Sequence, residues 1–185
     1  MPPDGDMSAV AQARAFRGEF ADATKPDLVF RSRLNAANDA WNSRFGWPLF
    51  LPLAAGDAHL LDTLRIPVVD SGSEFEALVL ALAKVMVDSL NEAAICTTYA
   101  PAKYLKGGII RLAALVDAQG LKELVPHLDL LRDVQALRST GTAHRKGDSY
   151  KKLLARLGLD QVDRIQGFTG ILNRAVATLD ALAAV

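Results

Sequence analysis

The segment from Ser73 to Leu90 constrains the fold more than any other. Phe75, Leu78, Val79, Leu82, Val85, Met86 and Leu90 recur every three or four residues, which is the period of an α-helix and not of a strand. Leu80 and Val87 add apolar positions outside that face, so little of this helix can be left to water. A helix this apolar belongs in the middle of a bundle, with neighbours on several sides. Ser73-Glu74-Phe75-Glu76 reads as its capping box, the Ser73 hydroxyl and the Glu76 carboxylate each satisfying an amide at the helix start.

The partners such a helix needs are legible in both directions. Pro101 opens a segment striped by Leu105, Ile109, Leu112 and Val116, and Gly120 stops it. Leu121 to Val125 is a brief helical turn that Pro126 resets, after which Leu128, Leu131 and Val134 make one apolar face. Ser149 is placed to cap a short helix through Leu157 that Gly158 ends, and Asp160 to cap a last helix facing inward through Ile165, Phe168, Leu172, Val176 and Leu179. Half of the 185 residues are apolar, with Ala and Leu ahead of the β-branched types, a mixture that favours helix. We expect an all-α fold, an antiparallel helical bundle over residues 71–185. The pair Gly107-Gly108 is not followed by the Gly-Lys-Ser/Thr of a phosphate loop, so close helix packing is the expected reason for it.

Residues 1–70 read as an N-terminal arm, helical and irregular. Met1 to Asp6 looks like a disordered end, and Met7 to Phe20 a polar helix. Pro26 then restarts the chain in a helix carrying Phe30, Leu34, Ala37, Trp41 and Phe45 to Gly46. Phe45 to Leu53 is rich in large apolar side chains but broken by Pro48 and Pro52, so it is expected to run extended and lay its aromatic rings over the bundle. A short helix near Ala58 to Leu64 and an extended Arg65 to Val69 lead to the boundary near Asp70.

The chemistry is concentrated between Arg138 and Lys152. Arg138 continues the face of Leu131 and Val134, and a guanidinium aimed along an apolar stripe needs a partner or an open cleft. Six residues on comes His144. An arginine that never deprotonates suits phosphate, and an imidazole titrating near neutrality can move a proton. Together they suit RNA strand cleavage without a metal, in which a base takes the ribose 2′-hydroxyl proton and cations stabilise the charge building on the phosphate. One histidine cannot readily be base and acid at once, which predicts a second copy of the chain. The alternative is an arginine capping helix carbonyls and a histidine fixing the Gly141 loop. From Arg138 to Arg156, six arginines and lysines stand against Asp148 alone in a chain whose charges balance at 21 and 21, either a phosphate footprint or a solvated helix start.

Arg138 and His144, five residues between them at a helix junction in an all-helical chain, resemble the motif of the HEPN (higher eukaryotes and prokaryotes nucleotide-binding) superfamily. The resemblance covers about residues 74 to 185 and departs at Ser139, where the family often has Asn, Asp or His. It implies a metal-independent endoribonuclease of the toxin, antiviral or CRISPR type, with two protomers sharing one composite site. His144 would then be the general acid or base, Arg138 the phosphate clamp and Ser139 an auxiliary donor. Arg145, Lys146, Tyr150, Lys151 and Lys152 would hold single-stranded RNA, Tyr150 by stacking or donation unless it is an ordinary packed tyrosine. The expected partners are single-stranded RNA, a second copy, and an antitoxin or other regulator. The runner-up is a noncatalytic HEPN-like module binding RNA, nucleotide or a partner helix, and a purely structural domain is a third class.

Other chemistries are disfavoured. Asp57 with His59, and His127 with Asp129, sit at spacing two, which on a helix points side chains apart, so no metal or cofactor is expected. Ser139 lacks a nucleophile elbow. Cys96 is the single cysteine, excluding an intramolecular disulfide, and it reads as a small buried thiol. No apolar run reaches the roughly 18 to 20 residues of a membrane span, and the first residues lack the pattern of a signal peptide. A cytoplasmic protein without membrane partners is the expectation.

Overall fold

A computed structural model describes residues 25–141 and 147–185. The described residues form an all-α bundle with no strand. Its α-helices are α1 (Pro26–Phe45), α2 (His59–Thr63), α3 (Gly72–Ala83), α4 (Glu92–Thr98), α5 (Gly108–Ala118), α6 (Val125–Gly141), α7 (Asp148–Arg156) and α8 (Arg164–Ala183). A π-helical turn, Lys84–Asp88, continues α3, and 3-10 turns at Ala100–Tyr104 and Lys122–Leu124 precede α5 and α6. The proposed helix at Met7 to Phe20 lies outside the described residues.

The apolar stripe that begins in α3 and continues through the π-helical turn is buried from Phe75 to Leu90. Around it α6 and α8 contribute Leu128, Leu131, Val134, Phe168, Leu172 and Leu179 to the same core. Each such side chain, fully removed from water, contributes about 1.5–3 kcal/mol. His127 meets Thr178 and Asp133 meets Arg174, so α6 and α8 run antiparallel. On α1, Arg33 meets Asp180 and Arg44 donates to the carbonyl of Val185, so α1 lies beside α8 in the same direction. Phe30, Leu34, Ala37 and Trp41 are buried in the one core shared with the C-terminal helices. Packing is therefore continuous across residue 70.

The proline-broken segment after α1 is extended, as its sequence predicts. Gly46, at φ 82°, ends α1 by donating to Asn42. Asn38 then clamps Phe50 through both backbone groups, accepting from its N–H at 2.8 Å and donating to its carbonyl at 2.9 Å. Leu51 donates to Ser89 and Asn91 to Leu49, giving an isolated bridge between Phe50 and Leu90. Leu49 and Phe50 are buried, and Trp47 lies edge-on to Trp41 while its indole N–H donates to Thr98. These bonds satisfy a backbone that proline keeps out of regular structure.

Several helix boundaries differ from the sequence expectation. The cap of α3 is Ser71, whose hydroxyl accepts from Glu74, and the Glu74 carboxylate accepts from Val68 and Val69. The serine-to-glutamate spacing is the expected one, but it begins two residues earlier, at Ser71 and not at Ser73. Gly147 and not Ser149 precedes α7, and Asp163 and not Asp160 caps α8, accepting from Gln166 at 2.7 Å. Pro101 opens only a 3-10 turn, and a separate helix, α4, fills the interval before it, where the sequence reading had placed no element. Gly108 does serve close packing: a Cβ there would lie 3.0 Å from Glu92 and 3.2 Å from Leu90.

Candidate functional site

Arg138 sits in the last turn of α6. Its position on the apolar face demands an anion, and the fold supplies one from 50 residues upstream: Nη1 of Arg138 lies 2.6 Å from Oδ1 of Asp88. Asp88 is the last residue of the π-helical turn, a geometry over-represented at functional positions. The two side chains are 23% and 35% exposed, so the pair stands at the bundle's edge. Charges alternate onward from it. Lys84 is 3.8 Å from the other oxygen of Asp88 and 3.1 Å from Asp57. A half-exposed pair of this kind contributes about 0.5–1 kcal/mol; its larger effect is to fix where the guanidinium points.

The other proposed site residues divide. His144, Arg145 and Lys146 lie outside the described residues. Ser139 is exposed, but its hydroxyl donates to the carbonyl of Gln135 at 2.8 Å, so its single proton is spent on its own helix. The expected donor role would require another rotamer. Lys151 and Lys152 are exposed on α7, whereas Tyr150 and Leu153 on the same helix are buried. The structure thus separates Tyr150 from the two lysines and holds it as the packed residue, not as an outward stacking platform. Arg156, the last charge of the basic run, is bound 2.9 Å from Asp133.

Asp133 is a residue the sequence reading passed over. It lies on α6 with its side chain 7% exposed, and its two oxygens accept from Arg156 of α7 and Arg174 of α8 at 2.9 and 2.8 Å. This buried carboxylate ties together the helix before the motif, the basic helix after it and the last helix. Its only sequence signal was a carboxylate next to a buried stripe.

The two Asp-x-His pairs do not converge. Asp57 is engaged with Lys84, Asp129 with Arg132, and Nδ1 of His127 lies 3.4 Å from the Thr178 hydroxyl. Among the described residues no three histidine, cysteine or acidic side chains cluster in a way that could hold a metal ion. Cys96 is half-buried, and no described helix is long and apolar enough to cross a membrane.

A cavity of about 350 Å³ opens next to the Arg138 region, between the start of α3, α7 and the start of α8. Phe75 and Tyr150 form part of its wall, and the same two residues line a small cleft with Leu137 and Arg138. At its far side Arg164 is held by Asp70, which accepts from both the backbone N–H and the guanidinium of Arg164. Those contacts, the backbone hydrogen bond first, hold the Asp70 carboxyl below its ordinary pKa.

The class these observations define is an all-α bundle with an arginine–aspartate pair at a helix end and a cavity beside it. The chain matches no family model, no curated protein and no solved structure.

Proposed function

We propose that this chain is a metal-independent endoribonuclease of HEPN type, cutting single-stranded RNA at a site completed by a second copy. The observation that carries the proposal is Arg138: a permanent cation at a helix end, partly exposed and aimed by Asp88, six residues before a histidine. A guanidinium has five N–H donors in a fixed fork, so the contact with Asp88 does not by itself use up its donors. In the reaction, one His144 takes the proton of a ribose 2′-hydroxyl, whose oxygen attacks the adjacent phosphorus. The bond to the 5′-oxygen breaks, and that oxygen takes a proton from His144 of the second copy. The products are a 2′,3′-cyclic phosphate and a 5′-hydroxyl. Arg138 offsets the charge on the equatorial oxygens, and Lys151 and Lys152 hold flanking phosphates without base preference. A toxin or phage-defence setting in the cytoplasm, with an antitoxin or other regulator, fits an activity that a cell must restrain.

The test is cleavage of single-stranded RNA in EDTA by the wild type, His144→Ala and Arg138→Ala. Cleavage by the wild type and a loss of about 10²-fold or more in each variant is expected, the scale of a general acid–base group or an oxyanion donor. Equal cleavage by all three, or by none, removes the proposal. A second reading, an RNA- or nucleotide-binding module without catalysis, is favoured by the commitment of the Ser139 hydroxyl to Gln135 and of Arg138 charge to Asp88. RNA binding with no cleavage would decide for it.

A further inference from the structure

The cavity beside Arg138 has a composition that its surroundings do not require. Its lining combines apolar and aromatic side chains, Phe75, Tyr150, Leu154 and Leu159, with the carboxylates of Asp160 and Asp163. At about 350 Å³ it falls at the small-molecule end of ligand sites, which run from about 300 Å³ upward. Gly167 shapes it, since a Cβ there would lie 3.0 Å from Leu159, so the loop before α8 closes tightly over one side. Arg164, paired with Asp70, also lines the cavity, so its polar character is set by this guanidinium together with the two carboxylates.

A flat aromatic ligand with adjacent N–H donors is what such a site selects. The ring replaces water against Phe75 and Tyr150, and a carboxylate accepts from neighbouring donors. Among the RNA bases, guanine presents N1–H and the N2 amino group side by side, adenine and cytosine present one amino group, and uracil one N–H between two carbonyls that a carboxylate repels. The cavity shares Phe75 and Tyr150 with the cleft at Arg138, so a nucleotide can place its base at the acidic end and its phosphate toward the guanidinium.

We propose that this cavity is a nucleobase pocket selecting guanine, which reads the nucleotide whose phosphate Arg138 holds. The role of Arg138 rests on the nuclease reading; the pocket's chemistry does not. Base selection in this chain then comes from the loop before α8 and not from the basic helix.

The test is calorimetric binding of GMP, AMP, CMP and UMP to the wild type, to Asp160→Asn, to Asp163→Asn and to His144→Ala. Asp160 has Gln161 as its hydrogen-bonded neighbour, and asparagine still caps a helix at position 163, so both carboxamide variants keep the fold. GMP is expected to bind the wild type at least about tenfold more tightly than UMP, the lower part of the range for a bidentate base contact. The carboxamide variants should lose that preference, and His144→Ala should keep it. Equal binding of all four nucleotides, binding of none, or a guanine preference unchanged in both carboxamide variants would overturn the pocket. If GMP is selected and no RNA is cut, the nuclease reading fails and the pocket stands; if RNA is cut with no selection among the nucleotides, the pocket fails and the nuclease reading stands.

Discussion

Removing the buried carboxylate of Asp133 should cost less than removing the two arginines that hold it. Asp133 is 7% exposed, while Arg156 and Arg174 are 60% and 46% exposed. Replacing Asp133 by Asn leaves two guanidinium groups that can turn to water, so the loss is two charge-assisted hydrogen bonds discounted for solvent, about 1–2 kcal/mol. Replacing both arginines by methionine instead strands a carboxylate in the interior without a counter-charge, a change worth about 3–5 kcal/mol. Asp133→Leu added to the double arginine variant removes the stranded charge and should recover most of the loss. The measurement is urea unfolding of the four proteins. With a slope of about 2 kcal/mol per M, the midpoint should fall by about 0.5–1 M for Asp133→Asn and about 1.5–2.5 M for the double arginine variant. A double variant no worse than Asp133→Asn, or a triple variant worse than the double, would refute the assignment of Asp133 as the buried member on which the other two converge.

Two further outcomes follow from pairs at the rim of the bundle. Asp88→Asn removes the carboxylate that aims Arg138, so under the proposed activity kcat for RNA cleavage should fall about tenfold or more, since catalysis is sensitive to small misplacement; steady-state cleavage kinetics showing kcat unmoved would count against Asp88 as the positioning residue. The Glu74 carboxyl is held below its ordinary pKa first by the backbone N–H of Val69, with Val68 and Arg65 adding to it, so the unfolded chain binds more protons in the acid range and this contribution, complete above about pH 5, is lost as pH falls through the lowered folded value. Unfolding free energies between about pH 3 and 6 should therefore fall less steeply toward acid in Glu74→Gln than in the wild type, and parallel curves would refute it.

What could be read from the sequence divides by the range of the interaction. The stripes of α1, α3, α6 and α8 are periodic, and periodicity is local, so Phe30, Leu82, Leu131 and Phe168 were identifiable as core from their neighbours alone. Caps are local too, but degenerate. Ser71 and Ser73 each precede a glutamate by three residues, and only the extended approach of Val68 and Val69 to Glu74 selects the first. Asp160 and Asp163 pose the same ambiguity, resolved because the loop closing over Gly167 delays the start of α8. The partner of Arg138 was required by its position yet could not be named, since Asp88 is brought to it by the packing of α3 against α6.

The same long-range pairings change what the basic cluster can do. Six positive residues between Arg138 and Arg156 looked like an electrostatic footprint for RNA, but the fold sets Asp88 against the first and Asp133 against the last. Both arginines bridge helices, and their charge is largely balanced where it stands. Of the other four, Arg145 and Lys146 lie outside the described residues and Lys151 and Lys152 are exposed cations on α7, where each phosphate neutralised on a single strand contributes only about 0.7 to the salt slope of binding. Two lysines give a weak and nonselective hold. Under the proposed activity, selective affinity for RNA draws on groups that are shaped as well as charged, and among the described residues the aimed guanidinium of Arg138 and the adjoining cavity walled by Phe75 and Tyr150 are built that way. Strength and selectivity would then reside at the helix junction and not on the solvated face of α7.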